Sequence, residues 1–293
     1  MTPVVSIIIP TYNRAHLIGE TLDSVIAQTF SNWECIVVDD GSKDYTNELL
    51  DFYSEKDPRI YFYHRPSNRR KGANACRNYG FELSKGKYVQ WLDSDDILLQ
   101  DKIEAQINLL VLTDIKAVAI CKFGYFNKAR SLNHIRENIK TYQNFRNGKD
   151  LLLCFGRFKE YLPLHNYLAS KELYTGIGEW NEDLLINQDA EFFSRVLVKA
   201  APIEFAETKV FYRVGNTKST SSFDTPLKAQ NAINSWKMIQ QNIGDEDHLY
   251  ILQAKEVLYK KLQYQYPKLI RRNLFFFKSI LSLPKFLMLK IFK

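Results

Sequence analysis

The acidic stretch Asp93-Ser94-Asp95-Asp96 points more directly to chemistry than any other part of this sequence. It follows residues 88–92, an apolar and aromatic run that is typical of a β-strand. Carboxylates at the end of a strand suit Mg²⁺ or Mn²⁺, which take one or two protein oxygens and complete their shell with water and phosphate oxygens. The stretch therefore predicts a site for a metal-bound phosphate ligand such as a nucleotide. The simpler alternative is a solvated acidic turn.

A second candidate carboxylate, Asp189, lies at the start of a helix predicted over residues 188–198. The positive end of a helix dipole stabilises a carboxylate anion, and an ionised, fixed carboxylate can act as a general base. The alternative is an ordinary acid in the first turn of a helix. Position in the sequence does not distinguish the two roles.

Two loops that follow predicted strands carry further polar groups. Pro10, Thr11 and Tyr12 come after the first strand and bring a hydroxyl and an aromatic ring to its end; the alternative is a plain turn. Asp39 and Asp40 come after the second strand, where a carboxylate can accept hydrogen bonds from a nucleobase or a ribose hydroxyl. We expect one of these two acids to be functional and the other supportive.

A third segment, residues 72–80, is rich in small residues and contains Arg77. Small side chains allow a helix to start close to a ligand, and a guanidinium group forms charge-assisted hydrogen bonds with phosphate oxygens. Arg77 is thus a candidate partner of a diphosphate. Alternatively, it pairs with a neighbouring Asp and only shapes the site.

The elements that must position these residues alternate between strand and helix signals. The predicted strands are 4–9, 33–38, 59–64, 88–92 and 117–123, and the predicted helices between them are 16–27, 46–53, 73–83 and 100–112. This alternation predicts an α/β fold with a mostly parallel sheet flanked by helices. In such sheets, ligands bind at the carboxyl ends of the strands, which is where the loops described above lie.

The bulk composition is that of an ordinary globular protein. Of 293 residues, 45% are hydrophobic and 25% charged, and no stretch approaches the ~20 apolar residues of a membrane-spanning helix. The four cysteines are widely spaced, which predicts neither a zinc site nor a disulfide framework. The sequence runs into its first strand without a signal peptide, so we expect a cytoplasmic protein.

The net charge of +7 is concentrated at the C-terminus. Residues 267–293 hold seven basic residues and no acid, and without them 33 bases face 33 acids. A neutral body argues against nucleic acid as a partner. The pattern from Lys268 predicts an amphipathic helix with a basic face, interrupted by Pro284, which could bind an anionic membrane surface. The alternative is a helix that packs on its own domain.

Together these segments resemble the family 2 glycosyltransferases, which have the GT-A fold. The resemblance spans residues 4–215 and depends on the order and spacing of five segments. They are Pro10-Thr11-Tyr12-Asn13-Arg14, Val37-Val38-Asp39-Asp40-Gly41-Ser42, the Gly72 to Gly80 segment with Arg77-Asn78, Asp93-Ser94-Asp95-Asp96, and Asp189 ahead of Glu191 and Arg195.

The resemblance implies an inverting transferase that moves a sugar from a nucleoside-diphosphate sugar to an acceptor hydroxyl. It implies that Asp39 and Asp40 meet the nucleobase, that Asp95 binds Mn²⁺ or Mg²⁺, and that Asp93 or Ser94 lies near the ribose. The loop of residues 10–12 would help to bind the donor.

For the reaction itself, the resemblance implies that Asp189 is the base and that the metal and Arg77 stabilise the departing diphosphate. This fits an oxocarbenium-like transition state in which negative charge grows on the leaving group. Two features depart from the family pattern. Gln188 replaces an acid before the catalytic Asp, and the late segment 211–216 lacks a His. Ser219, Thr220 or Ser221 could contact the diphosphate instead.

We therefore expect a GT-A domain over residues 1–220, with a nucleotide-sugar half (1–123) and an acceptor half (124–220). A helical extension (221–265) and the basic amphipathic tail (266–293) would follow. The acceptor would be a saccharide or lipid-linked glycan of a bacterial-type surface polysaccharide, at the inner face of the cell membrane. Two alternatives are a transferase to polyprenyl phosphate and a noncatalytic nucleotide-sugar-binding protein.

Overall fold

The computed structural model describes residues 2–127, 134–215 and 223–291. The strands are β1 (Val5–Thr11), β2 (Trp33–Asp39), β3 (Ile60–His64), β4 (Tyr88–Trp91), β5 (Ile97–Leu98), β6 (Val118–Phe126), β7 (His134–Ile135), β8 (Leu168–Ser170) and β9 (Ile203–Arg213). The helices are α1 (Ile18–Ile26), α2 (Thr46–Lys56), α3 (Ala73–Leu83), α4 (Lys102–Leu110), α5 (Gly148–Phe158), α6 (Lys171–Ile177), α7 (Gln188–Lys199), α8 (Pro226–Ile243), α9 (Leu249–Gln265), α10 (Pro267–Arg272) and α11 (Leu283–Ile291).

In the described part of the chain, all strands join one mixed sheet in the order β3-β2-β1-β4-β8-β6-β9-β5, with β7 beside β6. Strands β1 to β4 are parallel. Strand β8 enters antiparallel between β4 and β6, and β6 pairs in parallel with β9. The predicted α/β fold of GT-A type is confirmed, with the parallel strands concentrated in the first half of the chain.

The parallel strands β1 and β2 are buried on both faces because helices cover them. Every residue of β1 and β2 is buried, as expected for parallel strands with near-continuous apolar sequences. Helix α1 turns Ile18, Leu22 and Val25 into this core. The carboxyl ends of these strands are therefore held in fixed positions relative to one another. The four cysteines are all free and buried.

The described part of the helical extension expected over residues 221–265 contains two helices. Gly244 ends α8 in a left-handed conformation (φ 76°), which favours glycine because other residues meet a steric cost there. Helix α8 packs against α7, and α9 packs against α5. The extension thus lies directly on the helix that carries Asp189.

The prediction of one amphipathic helix from Lys268 to an interruption at Pro284 is wrong. The chain instead forms α10, irregular turns and α11, and Pro284 lies within the first turn of α11, where proline is tolerated. Apolar residues of the tail, including Ile270 and Phe277, are buried in a cluster with α8 and α9. Phe275, Leu283 and other apolar side chains remain exposed. No helix within residues 2–127, 134–215 or 223–291 is both long and apolar enough to span a membrane.

Residues 127–150, which connect β6 to α5, are only partly described. Their described part contains β7, which pairs with β6, and the start of α5. Residues 128–133 lie outside the described residues.

Gly156 allows α5 and α9 to approach closely, which makes it a test of this packing. A Cβ at this position would lie 2.2 Å from the backbone nitrogen of Tyr250. We expect Gly156→Ala to lower the free energy of unfolding by about 1–3 kcal/mol, because the two backbones must move apart. Chemical denaturation measures the change.

Gly176→Ala is the matched control. Gly176 is also helical, and a Cβ there would meet nothing within 4 Å. This variant should be as stable as the wild type or slightly more so, because alanine favours helix over glycine. Equal stability of the two variants would contradict the packing described for Gly156.

Candidate active site

A cleft of about 530 Å³ opens at the carboxyl ends of β1 and β4 and extends to the start of α7. Nine of the ten residues predicted from the sequence line it, and Asp39 is the exception. The nine are Pro10, Thr11, Tyr12, Asp40, Arg77, Asp93, Ser94, Asp95 and Asp189. Residues separated by up to 179 positions in the chain therefore share one cavity.

The loop after β1 is fixed by hydrogen bonds to the loop after β2. Asn13, in a left-handed conformation (φ 52°), donates its backbone N–H to the Ser42 hydroxyl at 2.8 Å, and its side chain accepts from the Lys43 N–H. The next N–H, that of Arg14, donates to Thr46 Oγ1 at 3.0 Å. These bonds hold both loops at the same edge of the cleft. The buried Thr11 hydroxyl has no hydrogen-bond partner among the described residues.

The two acids after β2 have different surroundings. Asp39 is buried and accepts hydrogen bonds from the backbone N–H groups of Gly41 and Ser42, so it stabilises the turn. Asp40 lines the cleft and is paired with Arg65. The geometry therefore makes Asp40 the candidate for ligand contact and Asp39 the supporting residue. A contact of either acid with a nucleobase stays a prediction.

Arg77 forms an ion pair with Asp93, with Nη2 donating to Oδ1 at 2.7 Å. Its Nη1 donates to Asn74, and its guanidinium lies 4.6 Å from the centre of the Trp180 ring. These contacts fix Arg77 at the wall of the cleft and correspond to the shaping role left open by the sequence. Its contact with a diphosphate stays a prediction.

Asp96 points away from the cleft opening into the core. Its Oδ2 lies 3.0 Å from Nδ1 of the buried His165, and its Oδ1 accepts the backbone N–H of Arg213. Arg213 also donates from Nε to the backbone oxygen of Asp95 and from Nη2 to Glu20. The turn that carries the acids is thereby tied to β9 and to the segment before β8. Burial raises the pKa of Asp96, and the neighbouring His165 opposes this shift.

Asp95 also lines the cleft, and its ionic partner, Arg14, is more distant than the partners of Asp93 and Asp96. Its side chain is 30% exposed, and Oδ2 lies 3.8 Å from Nε of Arg14. Burial, followed by the charges of Asp96 and Asp93, raises the pKa of Asp95 to about 7. A divalent cation would relieve this crowding of negative charge.

The described residues fit a cation held mainly by its substrate. No group of three or more His, Cys, Asp or Glu side chains among them is arranged to hold a metal. A Mg²⁺ or Mn²⁺ site needs only one or two carboxylates when phosphate oxygens and water supply the other ligands. Asp95 offers such a carboxylate, whereas Asp93 and Asp96 are engaged by Arg77 and His165.

Asp189 lies in the first turn of α7, and Oδ1 accepts a hydrogen bond from the backbone N–H of Ala190 at 3.0 Å. Its side chain opens onto the cleft, although protein surrounds it on the other sides. Burial raises the pKa of Asp189 and outweighs the effects of this hydrogen bond and of Arg77. A raised pKa brings a carboxylate closer to the range in which a general base works best.

Helix α8 supports the loop before Asp189. The Asn231 side chain accepts the backbone N–H groups of Leu185, at 2.8 Å, and Ile186. The Asn187 side chain donates to the Ser235 hydroxyl at 3.0 Å. Two residues of the helical extension thus fix the start of the helix that bears Asp189.

Among the residues that line the cleft without having been predicted as site residues are His165, Tyr212 and Arg213. The rings of His165 and Tyr212 are nearly parallel, with centroids 6.3 Å apart. Arg213 was noted only as part of the late family segment, and His165 stands in an unremarkable run between two predicted elements. Ser219, Thr220 and Ser221, considered as diphosphate contacts, lie outside the described residues.

Residues 6–164 match the family model Glycosyl transferase family 2. The chain is 31% identical over 251 residues to an uncharacterized glycosyltransferase of Rickettsia typhi, covering 85% of this chain and 76% of that protein. It spans between 15% and 58% of the length of the next four curated relatives.

Solved structures share the fold. The crystal structure of Staphylococcus aureus TarS 1-349 in complex with UDP-GlcNAc matches with a TM-score of 0.68 and 17% identity, covering 91% of this chain and 75% of that one. The mannosyltransferase PcManGT of Pyrobaculum calidifontis, in complex with GDP-Man and Mn²⁺, matches with a TM-score of 0.57 and 18% identity, covering 99% and 79%.

Replacing Asp95 with Asn is expected to stabilise the metal-free protein above neutral pH. The pKa of Asp95 in the folded state, about 7, exceeds its ordinary value of 3.8. Between these values the folded state binds the proton more tightly than the unfolded state, so this group makes the free energy of unfolding fall as the pH rises. At pH 8 the variant should exceed the wild type by about 1–2 kcal/mol, less than the full shift would give, because the carboxylate is partly solvated.

The measurement is chemical denaturation of both proteins across this pH range. The difference between them should shrink towards pH 4, where Asp95 is protonated in the folded state. Asp51→Asn, at an exposed position on α2, is the control and should show no such trend. A constant difference between Asp95→Asn and wild type would contradict the raised pKa.

Proposed function

The chain belongs to glycosyl transferase family 2, and we propose that it moves a sugar from a nucleoside-diphosphate sugar to an acceptor hydroxyl with inversion. The observation that carries this proposal is that Asp95 and Asp189 line one cleft. Asp95 could hold the metal that binds the diphosphate, and Asp189 could take the proton of the acceptor. An inverting displacement requires groups of these two kinds on opposite sides of the anomeric carbon.

Asp189 is the proposed base. As the acceptor oxygen forms its bond to the anomeric carbon, the bond from that carbon to the diphosphate breaks and its electron pair leaves with the diphosphate. The acceptor proton passes to the Asp189 carboxylate. The hydrogen bond from Ala190 and the contacts of Asn187 with α8 keep this carboxylate in place during the transfer.

A divalent cation, Mg²⁺ or Mn²⁺, would be held by Asp95 and would neutralise charge on the departing diphosphate. Arg77 lies at the same wall and orients Asp93. Asp40 and the loop of residues 10–12 line the part of the cleft proposed for the nucleoside, with Asp93 or Ser94 near the ribose. The UDP-GlcNAc and the GDP-Man with Mn²⁺ in the two similar structures support a donor of this class.

A donor screen tests the proposal. UDP-, GDP-, CMP- and dTDP-sugars are offered with and without Mn²⁺, and both binding and nucleotide release are measured. We expect one donor class to bind in a metal-dependent manner, and Asp95→Asn to abolish the metal-dependent part. Asp189→Asn should keep donor binding but lower turnover by about 10²–10⁴-fold, the usual contribution of a general base.

Asp150→Asn is the matched control, because Asp150 is an exposed acid in the first turn of α5. It should leave binding and turnover unchanged. Failure of every donor to bind with any metal would contradict the proposal and favour the noncatalytic alternative. Undiminished turnover of Asp189→Asn with a polyprenyl phosphate acceptor would favour that acceptor class, since a phosphate oxygen needs no base.

We also propose that the enzyme works at the inner face of the cell membrane on a saccharide or lipid-linked acceptor of a surface polysaccharide. The support is the tail, whose basic residues lie beside exposed apolar side chains such as Phe275, Leu283 and Met288. Apolar groups inserted at the interface and basic groups near anionic lipid both favour binding. The buried cluster of the tail with α8 and α9 would remain intact on the membrane.

Sedimentation with vesicles containing phosphatidylglycerol tests this surface. We expect the wild type to bind, and the triple replacement of Lys278, Lys285 and Lys290 by Gln to weaken binding more than tenfold, because each base contributes ~1 kcal/mol near anionic lipid. The matched control replaces Lys85, Lys87 and Lys116, which are exposed outside the tail. Equal loss in both triple variants would mean that net charge alone, and not the tail, drives binding.

A further inference from the structure

A second cavity, of about 300 Å³, lies between α5, α7, α8 and α9, and Asp189 lines it together with the main cleft. We refer to it as the helical pocket. Its volume falls at the low end of the about 300–1,000 Å³ typical of small-molecule sites. Asn187 also lines both cavities, so the helical pocket adjoins the cleft at the proposed base.

The walls of the helical pocket combine aromatic and aliphatic side chains, with Lys159, Glu160 and Gln253 also in the lining. Phe155 of α5, Phe193 of α7, Trp236 of α8 and Tyr250 of α9 each contribute a ring. Tyr250 contacts two of them, with centroid distances of 5.9 Å to Phe155 and 5.0 Å to Trp236. These contacts fix the rings in place, so the pocket has well-defined walls.

Two tyrosines line the helical pocket and have hydroxyls without a protein partner. Tyr167 is 1% exposed and Tyr250 is 9% exposed. Neither hydroxyl has a hydrogen-bond partner among residues 2–127, 134–215 and 223–291, and neither oxygen is fully enclosed by protein. A ligand in the pocket could therefore bond to both, whereas a ligand that displaced water without doing so would leave them unsatisfied, which is costly.

Both tyrosines also lie within electrostatic reach of Asp189. Burial raises the pKa of each, and the negative charge of Asp189 adds to the shift in both cases. Asp189 and both tyrosines line this one pocket.

We propose that the helical pocket is the acceptor subsite and holds one saccharide ring of the acceptor, with its reacting hydroxyl at Asp189. This inference rests on the proposed function and names the part of the acceptor that the protein recognises. A sugar ring has C–H faces that pack on aromatic rings and hydroxyls at its edge that would satisfy Tyr167 and Tyr250. A hydrocarbon chain would fill the pocket but leave both hydroxyls unpartnered.

The inference gives the helical extension a part in substrate recognition. Trp236 and Tyr250 come from α8 and α9, beyond residue 220, where the transferase domain was expected to end. The acceptor subsite is thus shared between that domain and the extension.

Binding of methyl glycosides tests the helical pocket without knowledge of the natural acceptor. Methyl glucoside, methyl N-acetylglucosaminide and methyl rhamnoside are titrated by saturation-transfer NMR, with and without UDP or GDP and Mn²⁺. We expect the wild type to bind at least one of them. Tyr250→Phe and Tyr167→Phe should each weaken that binding about three- to tenfold, the usual effect of losing one hydrogen bond, while nucleotide affinity stays unchanged.

Tyr259→Phe is the matched control. Tyr259 is also buried on α9 but belongs to the cluster with the tail and does not line the helical pocket. It should bind glycoside like the wild type. All three substitutions remove a single oxygen atom and keep the ring, so the fold is retained.

The inference is overturned if no glycoside binds, or if Tyr250→Phe and Tyr167→Phe both bind glycoside as the wild type does. It is also overturned if farnesyl phosphate displaces the glycoside and binds both variants as tightly as it binds the wild type. The nucleotide titrations separate this inference from the proposed function. Nucleotide binding without glycoside binding would overturn the pocket alone. Glycoside binding without nucleotide binding would uphold the pocket and count against the proposed transferase.

Discussion

Three carboxylates within four residues must share one turn, and the rest of the site depends on how their repulsion is relieved. Asp93 is paired with Arg77 from α3, and Asp96 with the buried His165. Asp95 has the most distant ionic partner of the three, Arg14 at 3.8 Å, and the charges of Asp96 and Asp93 help to raise its pKa. Arg77 comes from the helix beside the parallel strands, and His165 from the segment before β8. The turn therefore needs both the parallel half and the mixed half of the fold to form.

Much of this arrangement follows from local sequence signals. The strands β1, β2 and β4 are apolar runs that end in polar loops, and the carboxyl ends of parallel strands must meet at one edge. For that reason the loops carrying Asp40 and Asp95 could be placed in one cleft from the sequence. Asp189 was placed at a helix start for similar reasons. The same signals did not show which of Asp39 and Asp40 supports the turn and which faces the cleft. That depends on which carboxylate accepts the backbone N–H of Gly41, and in the structure it is Asp39.

The features that the sequence did not predict arise from contacts between distant segments. His165 reaches Asp96 only because β8 inserts antiparallel beside β4, and a three-residue strand leaves no periodic signal. The tail has the amphipathic pattern of a membrane helix, but an apolar face does not specify what covers it. In the structure α8 and α9 cover much of it. The break at Gly244 was missed because both flanking helices share the same apolar spacing.

Asn231 and Ser235 of α8 form hydrogen bonds with the loop before Asp189. Family membership and the position of Asp189 therefore depend on different parts of the chain. Residues 6–164 identify the chain as a member of the family, yet the proposed base and the side chains that fix it all lie after that stretch. A descendant could inherit the recognisable sequence intact and still exchange the helices beyond it through recombination. It would keep the cleft proposed for the donor and acquire a new alignment of the proposed base. In such a lineage, acceptor choice and donor choice would evolve as separate traits.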